Sequence, residues 1–188
     1  MSLIHVLFGT IKTTIYHFLI DSVSFRVINR CSYTIWPGIQ GRKQSDKNWK
    51  LPFNGGWELA ADQTTSFSLP KDLTTGRIWA RRNCRLEKGR FQCETGDCGF
   101  KECAFDGIQR GGQTPASLAE FTLNKGGNQN YYDISLVDGY NIQITIKVQN
   151  PNSGGSGPYW CTNPTCVQDL NRICPAELMK KNVNGEVI

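Results

Sequence analysis

Eleven consecutive residues, Gly89-Arg90-Phe91-Gln92-Cys93-Glu94-Thr95-Gly96-Asp97-Cys98-Gly99, carry two cysteines with glycines beside them and a Thr-Gly-Asp turn. Such a stretch reads as a tightly stapled loop, in which disulfides rather than a large core fix irregular backbone. With Cys84 upstream and Cys103 downstream, the expected bridges are Cys84–Cys93 and Cys98–Cys103. Each closes a short loop and contributes roughly 2–3 kcal/mol by the chain-entropy model. Eight cysteines in 188 residues is heavy usage for a reducing cytosol, so the chain is expected in an oxidising, extracellular compartment.

The length suits one domain with a sizeable core. The net charge of +5 is carried by dispersed Lys and Arg, apart from Arg81-Arg82 and Lys180-Lys181, and no basic stripe marks a path for nucleic acid. No apolar run reaches the roughly 18 residues that a membrane span needs, so no stable membrane insertion is expected. Residues 1–22 contain two apolar pieces broken by His5, Lys12 and His17, with no basic residues ahead of them. They read as an atypical signal peptide, cleaved near Ser22-Val23-Ser24, or as a mis-assigned leader.

From residue 25 onward the pattern is that of short strands. Residues 25–36 are rich in β-branched and aromatic side chains and run into Pro37-Gly38, which predicts a strand followed by a turn. Further strand-like pieces fall at 57–60, 65–69, 77–81, 117–123, 131–137 and 140–148, separated by Gly, Pro, Asn and Asp. This spacing predicts an all-β fold, a two-sheet β-sandwich with disulfide-rich loops. Apolar side chains alternate at Ile134 and Leu136 and again at Ile142, Ile144 and Ile146. A two-residue Asp138-Gly139 turn would set one strand's apolar face against the other's polar face, so a three-residue loop, Asp138-Gly139-Tyr140, is expected to pair Ile134 with Ile144. Composition shifts to Asn, Ser and Gly at 151–158, dividing a sandwich over 23–150 from a loop-rich segment over 151–188. Within that segment 165–174 reads as one short helix stopped by Pro175.

Several separated blocks resemble the thaumatin-like proteins, the group of plant osmotins and sweet-tasting thaumatin. They are Ile28-Asn29-Arg30-Cys31 with Thr34-Ile35-Trp36-Pro37, then Gly76-Arg77-Ile78-Trp79-Ala80-Arg81, and the Cys93-x-Thr-Gly-Asp-Cys98 core. Leu118-Ala119-Glu120-Phe121 and the run from Tyr132 through Asp133 and Asp138-Gly139-Tyr140-Asn141 complete the set. One departure lies inside the signature, where Phe100 stands in place of the family's second glycine. The resemblance implies an acidic cleft beside the sandwich, with Arg81, Glu120, Asp133 and Asp138 as its members here. The family's third aspartate has no counterpart in this chain. Cys31, Cys161, Cys166 and Cys174 pair with later cysteines in complete relatives, so the chain is expected to be C-terminally truncated.

Two carboxylates across a groove can cleave a glycosidic bond, one donating a proton to the leaving oxygen and the other attacking or activating water. Glu120 is the candidate acid and Asp138 the candidate nucleophile or base, with Arg81 and Asp133 binding sugar hydroxyls and Tyr140 as the aromatic contact. Singly, each is ordinary, since Asp before Gly is commonly a turn residue and Glu on a polar strand face is commonly solvated. The implied function is a secreted, monomeric defence protein that binds β-1,3-glucan or another cell-wall polysaccharide and has weak endo-β-1,3-glucanase activity. The alternatives are a non-catalytic module that binds a protein or a cell surface, and a truncated inactive fragment. No cofactor is implied. Cys161-x4-Cys166-x7-Cys174 has the wrong spacing for the usual zinc fingers, and both histidines lie in the leader, so no metal is expected.

Overall fold

Alternation of apolar and polar side chains along short strands produces two stacked sheets. The computed structural model of the protein describes residues 3–10, 22–46, 48–123, 129–149 and 161–188. Strands β1 (Leu3–Thr10), β2 (Ser22–Asn29), β4 (Thr64–Pro70), β12 (Gln143–Val148) and β13 (Thr165–Cys166) form a five-stranded sheet in the order β13-β12-β1-β2-β4. Strands β3 (Trp36–Lys43), β5 (Leu73–Arg81), β10 (Leu118–Thr122) and β11 (Tyr131–Ser135) form a four-stranded sheet in the order β11-β10-β5-β3. Two small ribbons, β6 (Arg85–Glu87) with β7 (Arg90–Gln92) and β8 (Ala104–Phe105) with β9 (Ile108–Gln109), make up the stapled loops. This is the sandwich expected from the strand spacing.

Between the sheets lies one apolar core. The five-stranded sheet supplies Val6, Phe25, Val27, Leu69, Ile144 and Ile146; the four-stranded sheet supplies Ile39, Leu73, Ile78, Ala119 and Phe121. Phe25 and Phe121 meet across the layer with ring centroids 4.9 Å apart, and Phe25 stacks on Phe67 at 5.8 Å. A second, smaller cluster of Trp79, Cys98, Cys103, Ala116 and Leu118 lies on the outer face of the four-stranded sheet, beneath the stapled loops. Cys84 is bonded to Cys93 and Cys98 to Cys103.

Four local expectations are corrected. Pro37-Gly38 is not a turn but part of β3, opposite Ala80 and Trp79 of β5. Pro37 is tolerated because β3 is an edge strand, and Gly38 is required because a Cβ there would overlap the Trp79 indole. The segment 57–60 forms only isolated bridges, Gly38 with Gly56 and Ile35 with Leu59. β11 and β12 do not form a hairpin but belong to different sheets, so Ile134 and Ile144 share the core from opposite layers. The expected helix over 165–174 is β13 followed by a 3-10 turn, Leu170–Ile173, whose N-terminus is capped by the Asp169 carboxylate accepting from the Asn171 N–H.

Part of the segment read as a leader also lies in the sheet. β1 runs parallel to β12 and antiparallel to β2, and it separates them. Removing it would leave both neighbours with an unpaired edge. The rest of that segment, 11–21, and the compositional boundary at 151–158 lie outside the described residues.

Gly76 faces Phe121 across β5 and β10, and a Cβ at Gly76 would overlap the Phe121 ring. Gly76→Ala is therefore expected to destabilise the sandwich by about 1–3 kcal/mol through overpacking. Urea unfolding should show a lowered midpoint with an unchanged m-value.

Candidate functional site

Strand alternation sends Arg77, Trp79 and Arg81 of β5 to the same face, away from the main core that Ile78 and Ala80 enter. The stapled loops cover the Trp79 and Arg81 end of that face and leave the Arg77 end open. There the register aligns Gln40, Arg77, Glu120 and Asp133 in one row across β3, β5, β10 and β11. Residues opposite one another in an antiparallel ladder point to the same side, so the row places one guanidinium and two carboxylates side by side. Asp138 joins it from the turn after β11, closed by the Gly139 N–H donating to Leu136 O at 3.0 Å.

Arg77 holds the group together. Its Nε lies 3.7 Å from Glu120 Oε1 and its Nη1 3.9 Å from Asp138 Oδ2, with the three side chains 37%, 33% and 36% exposed. The structure thus brings Glu120, Asp133 and Asp138 to one open surface, and Tyr131, 60% exposed, stands beside Asp133 on the same side of β11. Backbone behind the turn is anchored by Asn141, which is fully packed. Its Oδ1 accepts from the Ser117 N–H, and its Nδ2 donates to Ala80 O and Thr95 Oγ1.

Arg81 is not in this row, which corrects the expectation that it binds sugar. It is completely buried, with Nε donating to Trp36 O at 2.9 Å, Nη1 to Phe100 O at 2.7 Å and Nη2 to Lys101 O at 2.9 Å. Nη1 also lies 3.3 Å from Cys98 Sγ and Nη2 3.4 Å from Pro37 O, so all five N–H donors are spent inside the protein and none is left to present at the surface. Burial pushes its pKa down to about 10, with the Asp97 carboxylate opposing that shift, so it remains charged at neutral pH.

Tyr140 also departs from the row. Its hydroxyl donates to Gln168 O at 3.3 Å, and its ring lines a separate cavity that none of Arg77, Glu120, Asp133 or Asp138 reaches. The residues missed in the sequence are Arg77 and Asn141, while Tyr131 is one of several aromatics that the sequence offers for stacking on a sugar ring. A signal for Arg77 was present, since it has the same strand parity as Arg81 and sits four residues earlier. Among the described residues no group of three His, Cys, Asp or Glu side chains is placed to hold a metal ion.

Two expected outcomes follow from these placements. Arg81→Met should cost at least about 3 kcal/mol, because several buried carbonyls lose their donor at once. Arg77→Gln should change stability by less than about 1 kcal/mol, since its ion pairs are solvent-exposed. Thermal unfolding of the two variants separates them.

Alkaline pH offers a second check. Tyr132 is pushed up to about 12, first by burial and then by the Cys161 charge, and Tyr140 is raised as well, first by burial and then by Asp169. Folded values above the ordinary 10 mean that the unfolded chain loses these protons first. Stability from these groups is complete below about pH 10 and falls as pH rises through the folded values. Absorbance at 295 nm should show two of the six tyrosines ionising late in the native protein and with the others in urea.

The Thaumatin family model matches residues 29–188. Thaumatin-like protein 1 of Pyrus pyrifolia is 37% identical over 92% of this chain and 66% of its own length. Pathogenesis-related thaumatin-like protein 3.2 of Cryptomeria japonica is 36% identical over 96% of this chain and 70% of its own. A Prunus avium protein named glucan endo-1,3-beta-glucosidase is 37% identical over 89% of this chain and 62% of its own. The chain therefore spans about two thirds of the length of these relatives.

Proposed function

We propose, because this chain belongs to the thaumatin family, that the open row of Arg77, Glu120, Asp133 and Asp138 is a carbohydrate-binding cleft for β-1,3-glucan in a secreted defence protein. The observation that carries the reading is Arg77 within 3.7 and 3.9 Å of two carboxylates at the open end of the sheet face. A row of acceptors interleaved with a guanidinium suits vicinal sugar hydroxyls, which donate to carboxylates and accept from N–H groups. Tyr131 adds an exposed aromatic face against which the apolar side of a pyranose ring packs. The name of the Prunus avium relative points the same way. Secretion is supported by the two disulfides, since such bonds form and persist in oxidising compartments.

Binding is favoured over hydrolysis. Glu120 and Asp138 both lie beside Arg77 on an open surface, an arrangement of acceptors and donors that suits binding sugar hydroxyls. Where hydrolysis does occur, Glu120 is the proton donor and Asp138 the nucleophile or base.

Laminarin binding, measured by affinity electrophoresis, should weaken at least about tenfold, or ~1.4 kcal/mol, in Arg77→Gln and in Asp138→Asn. Arg85→Gln, on the exposed β6 ribbon, should leave it unchanged. Reducing-sugar release from laminarin, where present, should vanish in Glu120→Gln. Laminarin binding that is indifferent to Arg77 and Asp138 would overturn the cleft, and turnover surviving Glu120→Gln would overturn the acid assignment.

A further inference from the structure

The cavity that takes Tyr140 has a chemistry opposite to that of the acidic row. It measures about 530 Å³ and lies between residues 140–143 and the 167–173 segment, with Tyr33 and Arg82 on a further wall. That volume falls within the roughly 300–1,000 Å³ typical of small-molecule sites.

Arg82 dominates the electrostatics. Its guanidinium carbon sits 5.1 Å from the Tyr33 ring centroid, a cation–π contact, and its Nη1 donates to Asn141 O at 3.0 Å. Its Nε–H is buried without an acceptor. Among the described residues Nη2 has no acceptor and no carboxylate pairs with Arg82. A second guanidinium, Arg172, stands at the exposed edge. The single carboxylate in the walls, Asp169, is already committed, with one oxygen accepting from the Asn171 N–H and the other 3.4 Å from Arg172 Nε. The cavity therefore presents two cations against one occupied anion, and the Arg82 donor left for a ligand is Nη2, since Nε is enclosed by protein.

A ligand carboxylate supplies what Arg82 lacks, because planar guanidinium and planar carboxylate match in geometry and the bond is charge-assisted. The remaining walls describe the rest of that ligand. Tyr33 and Tyr140 offer aromatic surface to a ring, and the Gln168 side chain and the free oxygen of Gln143, whose Nε2 donates to Val167 O, suit hydroxyls. We propose that this cavity is a second carbohydrate site, one that takes an acidic sugar: a uronate residue of an anionic polysaccharide, its carboxylate on Arg82 and its ring between the tyrosines. The acidic row would repel the same ligand, so charge assigns neutral and acidic sugars to different sites.

Calorimetric titration with trigalacturonate, beside its fully methyl-esterified form, tests the assignment. The ring chemistry of the two is the same, and only the first carries carboxylates. The native protein should bind the acid, with affinity falling as salt rises, and should not bind the ester. Arg82→Gln should weaken binding at least tenfold. Since that change also removes a bond to Asn141 O, circular dichroism must confirm the fold, and Arg172→Gln, at an exposed position, should independently weaken binding about threefold. Glu120→Gln should leave the affinity unchanged, and laminarin should not compete, which separates this site from the glucan cleft. Equal binding of the ester, no binding of the acid, or a loss in Arg85→Gln as large as in Arg82→Gln would each overturn the proposal, the last by exposing a general attraction to basic surface.

Discussion

The buried guanidinium of Arg81 is the joint on which the outer face of the four-stranded sheet is built. Taking such a charge out of water costs several kcal/mol, and the cost must be offset by close hydrogen bonds. Arg81 finds them at Trp36 O in β3 and at Phe100 O and Lys101 O within the Cys98–Cys103 loop, with the Cys98 sulfur 3.3 Å from Nη1. One side chain thus ties the end of β5 to the edge strand and to the stapled loop. Gly56 makes room for it, since a Cβ there would come within 2.8 Å of Nη2. Trp79 repeats the arrangement two residues earlier, its indole N–H donating to Gly96 O at 2.9 Å.

What these contacts achieve is a division of one sheet face. At Trp79 and Arg81 the outer surface of β5 is roofed by the loops, and polar side chains there must satisfy backbone groups. At Arg77 the roof has ended and the same strand face meets solvent. Charge there pairs with the carboxylates of Glu120 and Asp138, supplied by β10 and by the turn after β11. Two disulfides, Cys84–Cys93 and Cys98–Cys103, staple the loops that form this roof.

This explains which features are legible in the sequence. Alternation at Ile142, Ile144 and Ile146 reports a strand with one face in a core, and it does so whether the facing residues lie beside it in the same sheet or above it in the other. The alternation therefore identifies the inward-facing set but does not distinguish a β11–β12 hairpin from two strands in facing sheets. Cys84–Cys93 and Cys98–Cys103 are legible because short separations leave few alternatives. Arg77 and Arg81 share strand parity, so periodicity cannot tell the exposed one from the buried one; only the loop that covers Arg81 distinguishes them. Pro37-Gly38 carries a turn signal in any chain, and its place in β3 depends on the bulk of Trp79, a residue 41 positions later in the numbering.

The segment from Asp138 to Asn141 then acquires a particular burden. Asp138 faces the acidic row, Tyr140 faces the cationic cavity, and Asn141 between β5 and Ser117 holds the backbone that presents both. Its amide spends both donors and its acceptor in the interior, so the segment cannot shift without leaving buried polar groups unpaired. Two surfaces of opposite charge two residues apart would weaken each other if the backbone moved freely, because each would be screened by the neighbour's counter-charge. The rigid amide keeps them pointing apart, and it is this fixed divergence, more than either set of charges, that lets one loop serve two electrostatic environments.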